Sequence, residues 1–206
     1  MIQLPLPIDW RRSGQRGAII LGTGNRAAID LLSAPALWPS HCMLLVGPPR
    51  SGRSTLAAGI AAQGLAEVID DADRQDEAML FHRWNIAREA ADGAGHPLIL
   101  VAADAPPRWA ITLPDLRSRL STAGVARITA PDEAMVEAMI VQGLDEAGTA
   151  FAPDVPRYLA PRLPRCYETV DAVVAALNRD SLSSARKISL PRARQVLEEQ
   201  SLLPSP

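Results

Sequence analysis

The stretch from His41 to Thr55 constrains the fold more than any other. A short apolar run, HCMLLV, is followed by GPPRSGRST and then by an alanine-rich segment. The run, bounded by Gly47, reads as a buried strand, and residues 54–65 read as a helix. Between them, Gly47 and Gly52 have the G-x4-G spacing of a Walker A loop, whose backbone N–H groups cradle phosphates at a helix N-terminus. Gly47, Gly52, Arg53, Ser54 and Thr55 are therefore candidate nucleotide-binding residues, with the Ser54 hydroxyl where Mg²⁺ would sit. The motif's lysine is replaced by Arg53. A planar, directional guanidinium is not equivalent to a compact ammonium at a phosphate site, so nucleotide handling is expected to be weakened, altered or lost.

The chain around this loop alternates. Residues 26–33 read as a helix ended by Pro35 and Pro39, and residues 67–71 (EVIDD) as a buried strand ending in two acids. A helix over about 74–91 puts Leu80, Trp84 and Ala87 on one face. Residues 97–103 (PLILVAA) form a third strand, 115–121 a short helix, and 125–128 a fourth strand. Alternation of this kind predicts a parallel sheet covered by helices. From Asp132 the pattern changes, and residues 132–147, 153–163, 167–180 and 191–200 all read as helices. The expected organisation is an extended tail over 1–12, an α/β nucleotide-site subdomain over 13–130, and a small all-α lid subdomain over 131–206. Taken alone, Asp70 and Asp71 would be a solvated strand end. Beside a phosphate loop they are candidates to hold Mg²⁺, Asp70 with Ser54, and to orient an attacking water.

Composition narrows the function classes. Hydrophobic residues make up 48% but aromatics only 4%, so the core must be aliphatic. Net charge is −2, which leaves no basic surplus for a phosphate-backbone interface, and strong direct nucleic-acid binding is not expected. Lys187 is the one lysine among 21 basic residues, a bias that reads as genome-wide composition. Cys42 and Cys166 fit no metal or redox motif and read as thiols of a reducing compartment. Residues 1–12 lack the apolar stretch of a signal peptide, and no apolar run approaches the ~18 residues that span a bilayer, so a cytoplasmic protein is expected.

Several stretches together resemble one family. They are Gln3-Leu4-Pro5-Leu6-Pro7; Gly22-Thr23-Gly24-Asn25 with Ala28; Leu113-Pro114-Asp115-Leu116-Arg117-Ser118-Arg119-Leu120; Leu163-Pro164-Arg165 ahead of Ala176-Leu177-Asn178-Arg179; and Arg186-Lys187-Ile188-Ser189-Leu190-Pro191. The chain resembles the Hda branch of the DnaA/Hda family of AAA+ replication regulators, and LPDLRSRL is the most specific of the matches. The resemblance implies an AAA+ P-loop sheet sandwiched by helices, followed by the helical lid. It implies binding of the DNA polymerase III sliding clamp (the β subunit) through Gln3, Leu4, Leu6 and Pro7. It further implies stimulation, in trans, of the hydrolysis of DnaA-bound ATP, which restrains initiation. Arg119 would be the arginine finger, with Arg117 its nearest competitor, and Arg165 would be the sensor 2 residue over the chain's own nucleotide. That nucleotide would be ADP or ATP with Mg²⁺. Homo-oligomerisation is left open, and a helix-turn-helix domain is not expected, since the chain stops after the lid.

Three features depart from the family pattern: Arg53 itself, the gap of about ten residues between the P-loop helix and Asp70-Asp71 where the family has an additional strand and helix, and the apolar Ala102-Ala103 where sensor 1 offers a polar side chain. They leave two alternatives beside a trans-acting regulator without independent turnover. One is a nucleotide-dead adaptor for the clamp or DnaA. The other is a P-loop phosphotransferase, against which Arg53 argues because phosphoryl transfer relies on the lysine.

Overall fold

A computed structural model describes residues 19–89 and 96–200. The chain packs as two units. One comprises Ile19 and Asn25–Thr129, and the other Ile20–Gly24 with the chain from Ala130 onward.

The first unit is built on four parallel strands, β1 (Cys42–Val46), β2 (Glu67–Ile69), β3 (Leu98–Ala102) and β4 (Gly124–Arg127), in the order β2-β3-β1-β4. Position in the sheet follows composition. CMLLV and LILVA are apolar throughout and buried at every residue, as central strands covered on both faces must be. They pair in register from Cys42 with Leu98 to Val46 with Ala102. The outer strands are mixed: EVI is half-buried throughout, and in GVAR only Ala126 is fully buried. Because successive side chains alternate, Cys42, Leu44 and Val46 meet Leu98, Leu100 and Ala102 on one face. There they pack with Leu80, Trp84 and Ala87 of α3 (Glu77–Glu89) and Leu116 and Leu120 of α4 (Pro114–Leu120). The opposite face is covered in part by α2 (Arg53–Ala62), whose Leu56, Ala57 and Ile60 are buried. α1 (Thr23–Leu32) buries Ala28, Ile29 and Leu32.

The expected alternation is therefore present, with differences at element ends. α3 begins at Glu77 rather than near 74, because Asp71 takes a left-handed φ of 46° and a 3-10 turn over Ala72–Arg74 intervenes. The ten-residue gap has a direct structural meaning. α2 stops at Ala62, Gly64 turns the chain with φ 68°, and β2 pairs at once with β3. Among the described residues, the sheet is narrower by a strand and ends at β2.

The second unit is helical: α5 (Glu133–Glu146), α6 (Asp154–Leu159), α7 (Tyr167–Ser184) and α8 (Leu190–Glu199). Residues at helical spacing close its core: Val136, Ile140 and Leu144; Val155 and Leu159; Val170, Val173 and Leu177; Ala193, Val196 and Leu197. At Gly143 a Cβ would lie 2.8 Å from Val174, so glycine lets α5 and α7 approach closely. The helix expected over 153–163 divides, since Pro161 cannot donate to an α-helical bond, and Ala160–Arg162 continue as a 3-10 turn. The chain between helices adds a parallel bridge of Phe151 with Ile188. Cys42 is buried, Cys166 half-buried, and both are free thiols. No helix among the described residues is long and apolar enough to cross a membrane.

Candidate nucleotide loop and arginine-bearing helix

The loop after β1 is shaped by contacts on its two glycines. At Gly47 a Cβ would meet Ile128 Cβ at 2.9 Å and its carbonyl oxygen at 3.0 Å, so no side chain fits where the chain leaves the sheet. Gly52 is the reverse case: the space about it is open, but its φ is 82°, which L side chains rarely adopt. Arg50 also lies at positive φ, 62°. Ser51 donates its amide to the Pro48 carbonyl at 3.3 Å, and its side chain is 8% exposed with an Oγ that has no hydrogen-bond partner among the described residues. An unsatisfied buried hydroxyl costs about 1–3 kcal/mol, an arrangement that a polar ligand relieves. Pro48 and Pro49 bring no N–H and the Ser51 amide is given to Pro48, which leaves the first turn of α2, whose amides have no helical acceptor, as the main candidate donors. Ser54 is exposed there and Thr55 half-buried. The loop is thus a candidate for phosphate oxygens.

Arg53 takes a role that the sequence does not disclose. Its guanidinium Nη1 donates to the Ala102 carbonyl at the C-terminal end of β3. The N–H of the same peptide group, that of Ala103, donates to Asp73 Oδ2 at 3.2 Å. One peptide is therefore held at both ends, by the Gly47–Thr55 loop on one side and by the acidic turn on the other. Ala102 and Ala103 have no polar side chain, and the polar contacts at the end of β3 are those of the peptide group they share. Asp104 pairs with Arg108 at 3.5 Å.

Asp70 and Asp71, expected to face Mg²⁺, are both exposed. Asp70 Oδ1 accepts from the Asp71 amide at 3.0 Å, and Gln75 Nε2 donates to the Asp70 carbonyl at 3.3 Å. Among the described residues no three His, Cys, Asp or Glu side chains gather as a metal site. Asp73, two residues past the expected pair, is the acid that reaches the end of β3, and only its nearness to the turn could have marked it.

α4 carries the two candidate arginines. It opens with Leu113 as N-cap and Pro114 in the first turn, and has no side-chain cap of its own. Glu77, at the start of α3, lies alongside. Its Oε1 accepts from Thr112 N at 2.9 Å, and its Oε2 accepts from Thr112 Oγ1 at 2.8 Å and Leu113 N at 2.6 Å. The Thr112 amide first, then the Leu113 amide and the Thr112 hydroxyl, hold the Glu77 carboxyl below its usual range, with Arg117 adding its charge. Leu116 and Leu120 are buried, Arg117 is exposed and Arg119 half-buried. The Arg119 guanidinium lies over the Phe81 ring, 4.2 Å from its centroid, and Nη1 donates to Asn85 Oδ1. The sequence reading missed Glu77, Phe81 and Asn85. Their spacing of four on one helix is the signal that could have found them.

Arg165 belongs to the helical unit, where it is exposed just before α7. Its charge acts on Asp132, the N-cap of α5, which accepts from Met135 N at 2.8 Å, Thr23 N at 3.0 Å and Thr23 Oγ1 at 2.6 Å. The Thr23 hydroxyl first, then the Met135 and Thr23 amides and lastly Arg165, lower the Asp132 carboxyl. Burial, with the Asp132 charge, pushes the Tyr167 phenol up to about 12. Gly22 packs on Met135, whose Sδ a Cβ would meet at 2.8 Å, so part of the GTGN stretch seats the chain on α5. Gln3, Leu4, Leu6 and Pro7 lie outside the described residues.

No protein-family model matches the sequence. Among solved structures, domain III of the Thermotoga maritima replication initiation protein DnaA aligns with a TM-score of 0.68 at 15% identity, over 87% of this chain and 93% of that one. A Thermotoga maritima RuvB mutant aligns at 0.60 and 14% identity, over 88% and 70%. A replication initiator DnaA bound to AMPPCP and single-stranded DNA aligns at 0.55 and 15%, over 76% of this chain and 61% of that one, so this chain spans less than two thirds of its length. The parallel four-stranded sheet with its flanking helices is accordingly the AAA+ P-loop α/β fold that DnaA and RuvB also have.

Proposed function

We propose that this chain is an Hda-like negative regulator of replication initiation. It is held at the sliding clamp by Gln3, Leu4, Leu6 and Pro7, and it stimulates hydrolysis of DnaA-bound ATP through Arg119. The observation that carries the reading is the mounting of Arg119. A guanidinium has five N–H donors, and one is committed to Asn85 while the ring of Phe81 supports its plane. The remaining donors are available to a neighbour's γ-phosphate oxygens as negative charge builds on them. An arginine supplied in trans accelerates such a step by about 10³-fold or more. The chain's own nucleotide, ADP or ATP with Mg²⁺, would rest on the Gly47–Thr55 loop with Ser54 and Asp70 at the metal, and would supply the phosphate charge that the loop donors match. The clamp contact is weak by itself, as short extended motifs are, and gains from concentrating the protein on DNA.

The test uses purified DnaA carrying labelled ATP, DNA-loaded clamp, and this protein as wild type or Arg119→Ala, following conversion of ATP to ADP. Stimulation by the wild type and its loss in the variant are expected. If neither stimulates while clamp binding is intact, the trans-activation reading is wrong. One observation favours a second reading, an adaptor that binds its partners without stimulating hydrolysis. One N–H of Arg53 is given to the Ala102 carbonyl, which ties the loop's cation to the end of β3 rather than leaving it wholly to a phosphate. Absence of ADP and ATP binding, together with absence of stimulation, would decide for the adaptor.

A further inference from the structure

Three side chains on α3, Glu77, Phe81 and Asn85, are spaced by four residues and so line one face of the helix. That face meets both ends of α4. Glu77 takes three donors from the two residues ahead of the helix, at 2.6–2.9 Å, while Phe81 and Asn85 receive Arg119 near its last turn. The match in length is physical: eight residues of α3 span about 12 Å, and the six from Leu113 to Arg119 span about 9 Å. α4 has only seven residues, too short to be stable alone, and its N-cap position is a leucine that cannot cap. Its buried side chains, Leu116 and Leu120, resist lifting of the helix from the sheet but define its slide and rotation poorly. Directional hydrogen bonds define them, and those at the N-terminal end come from Glu77.

We propose that Glu77 is a positioning residue for Arg119: its carboxylate anchors the start of α4, and this sets the place from which Arg119 acts. The proposal rests on the reading of Arg119 as the trans-acting group. It requires a carboxylate at this position rather than any polar group. Two backbone N–H groups and a hydroxyl converge on two acceptor oxygens, and an amide, with one acceptor oxygen, would turn a donor toward one of the two N–H groups. Arg117 adds its charge to the same contact.

The experiment compares wild type, Glu77→Gln, Arg119→Ala and the double variant, as full chains, in the DnaA ATP-hydrolysis assay. Amide hydrogen exchange over residues 112–120 is recorded in the absence of any partner. Glu77→Gln is expected to lower the maximal stimulated rate on the order of tenfold or more, since small misplacements of an acting group are costly, without changing the half-saturating concentration. It should add no further loss in the Arg119→Ala background, and exchange over 112–120 should rise. Thr112→Val, which removes one of the three bonds, gives an intermediate effect and serves if Glu77→Gln folds poorly. Unchanged exchange over 112–120 overturns the proposal. So does a rate loss that arises from weaker partner binding, or one that persists on top of Arg119→Ala. If the wild type itself does not stimulate, the trans-activation reading has failed, and the exchange measurement alone decides whether Glu77 holds α4.

Discussion

The peptide joining Ala102 and Ala103 offers a sharp test of how this loop is held together. Arg53 holds its carbonyl and Asp73 its N–H. Ala102 is 2% exposed, so removing the guanidinium leaves an acceptor that water reaches poorly. Loss of one partner from a buried polar group costs about 1–3 kcal/mol, and the half-exposed setting of Arg53 places Arg53→Ala toward the lower end, about 1–2 kcal/mol. For a chain of this size, each kcal/mol shifts the melting temperature by about 2–4 °C. Asp73→Ala removes a longer bond from a half-buried carboxylate and should cost about 0.5–1.5 kcal/mol. Because both side chains act on one peptide, the double variant should lose less than the sum of the singles, by about 0.5 kcal/mol or more. The assay is thermal and urea unfolding of the four proteins without nucleotide. The reasoning is refuted if Arg53→Ala melts within about 1 °C of wild type, or if the two losses simply add. In the same series, Arg53→Lys would exchange the bridge for a cation suited to phosphate. It should lose stability without nucleotide and regain it with ADP, by about 2.7 kcal/mol at a hundredfold excess over Kd.

Two further outcomes follow from other parts of the chain. Asp132 caps α5 and takes both donors of Thr23, so Asp132→Ala should destabilise the helical unit by about 1 kcal/mol, read by urea unfolding. Its folded pKa is depressed from 3.8, so its contribution is present above that value and is lost as pH falls through the lower folded value. Asp132→Asn should accordingly flatten the acid limb of the stability profile, and an unchanged limb would count against the contact. Separately, replacing Gln3 and Leu6 together by alanine should abolish clamp binding while leaving the circular dichroism spectrum and melting curve unchanged. Clamp affinity that survives the double change would remove the tail from the proposed mechanism.

The architecture was largely legible because it depends on local pattern. CMLLV and LILVA read as buried strands, and their place at the centre of the sheet agrees with that, since a chain apolar on both faces needs cover on both. Leu80, Trp84 and Ala87 share a helical face by spacing alone, and that face is the one buried. The shortness of the α2-to-β2 connection was also visible. Whether it narrowed the sheet was not, because that is settled by strand pairing between residues some thirty positions apart, such as Val68 with Ile99.

The phosphate loop shows the same division. Its glycines and its arginine are written in the sequence, and so is the expectation that the guanidinium differs from an ammonium. That Arg53 would rest on the end of β3, and that Asp73 would hold the other side of the same peptide, depends on three segments meeting in space. No spacing rule contains that information, because a carbonyl at the end of a strand looks alike in every sequence.

The two arginines of α4 mark the limit most clearly. With 100° per residue, Arg117 and Arg119 each stand about 80° from the buried seam of Leu116 and Leu120, one on either side. The helix by itself is therefore indifferent between them. The sequence determined that two guanidiniums would flank an apolar seam on a short helix opened by Pro114. Only the tertiary structure decided which of them rests on a neighbour, because α3 offers Phe81 and Asn85 to Arg119, while Arg117 is left exposed. Local periodicity specifies which side of a helix is apolar. The neighbour against which each polar side chain comes to rest is a property of the packed whole.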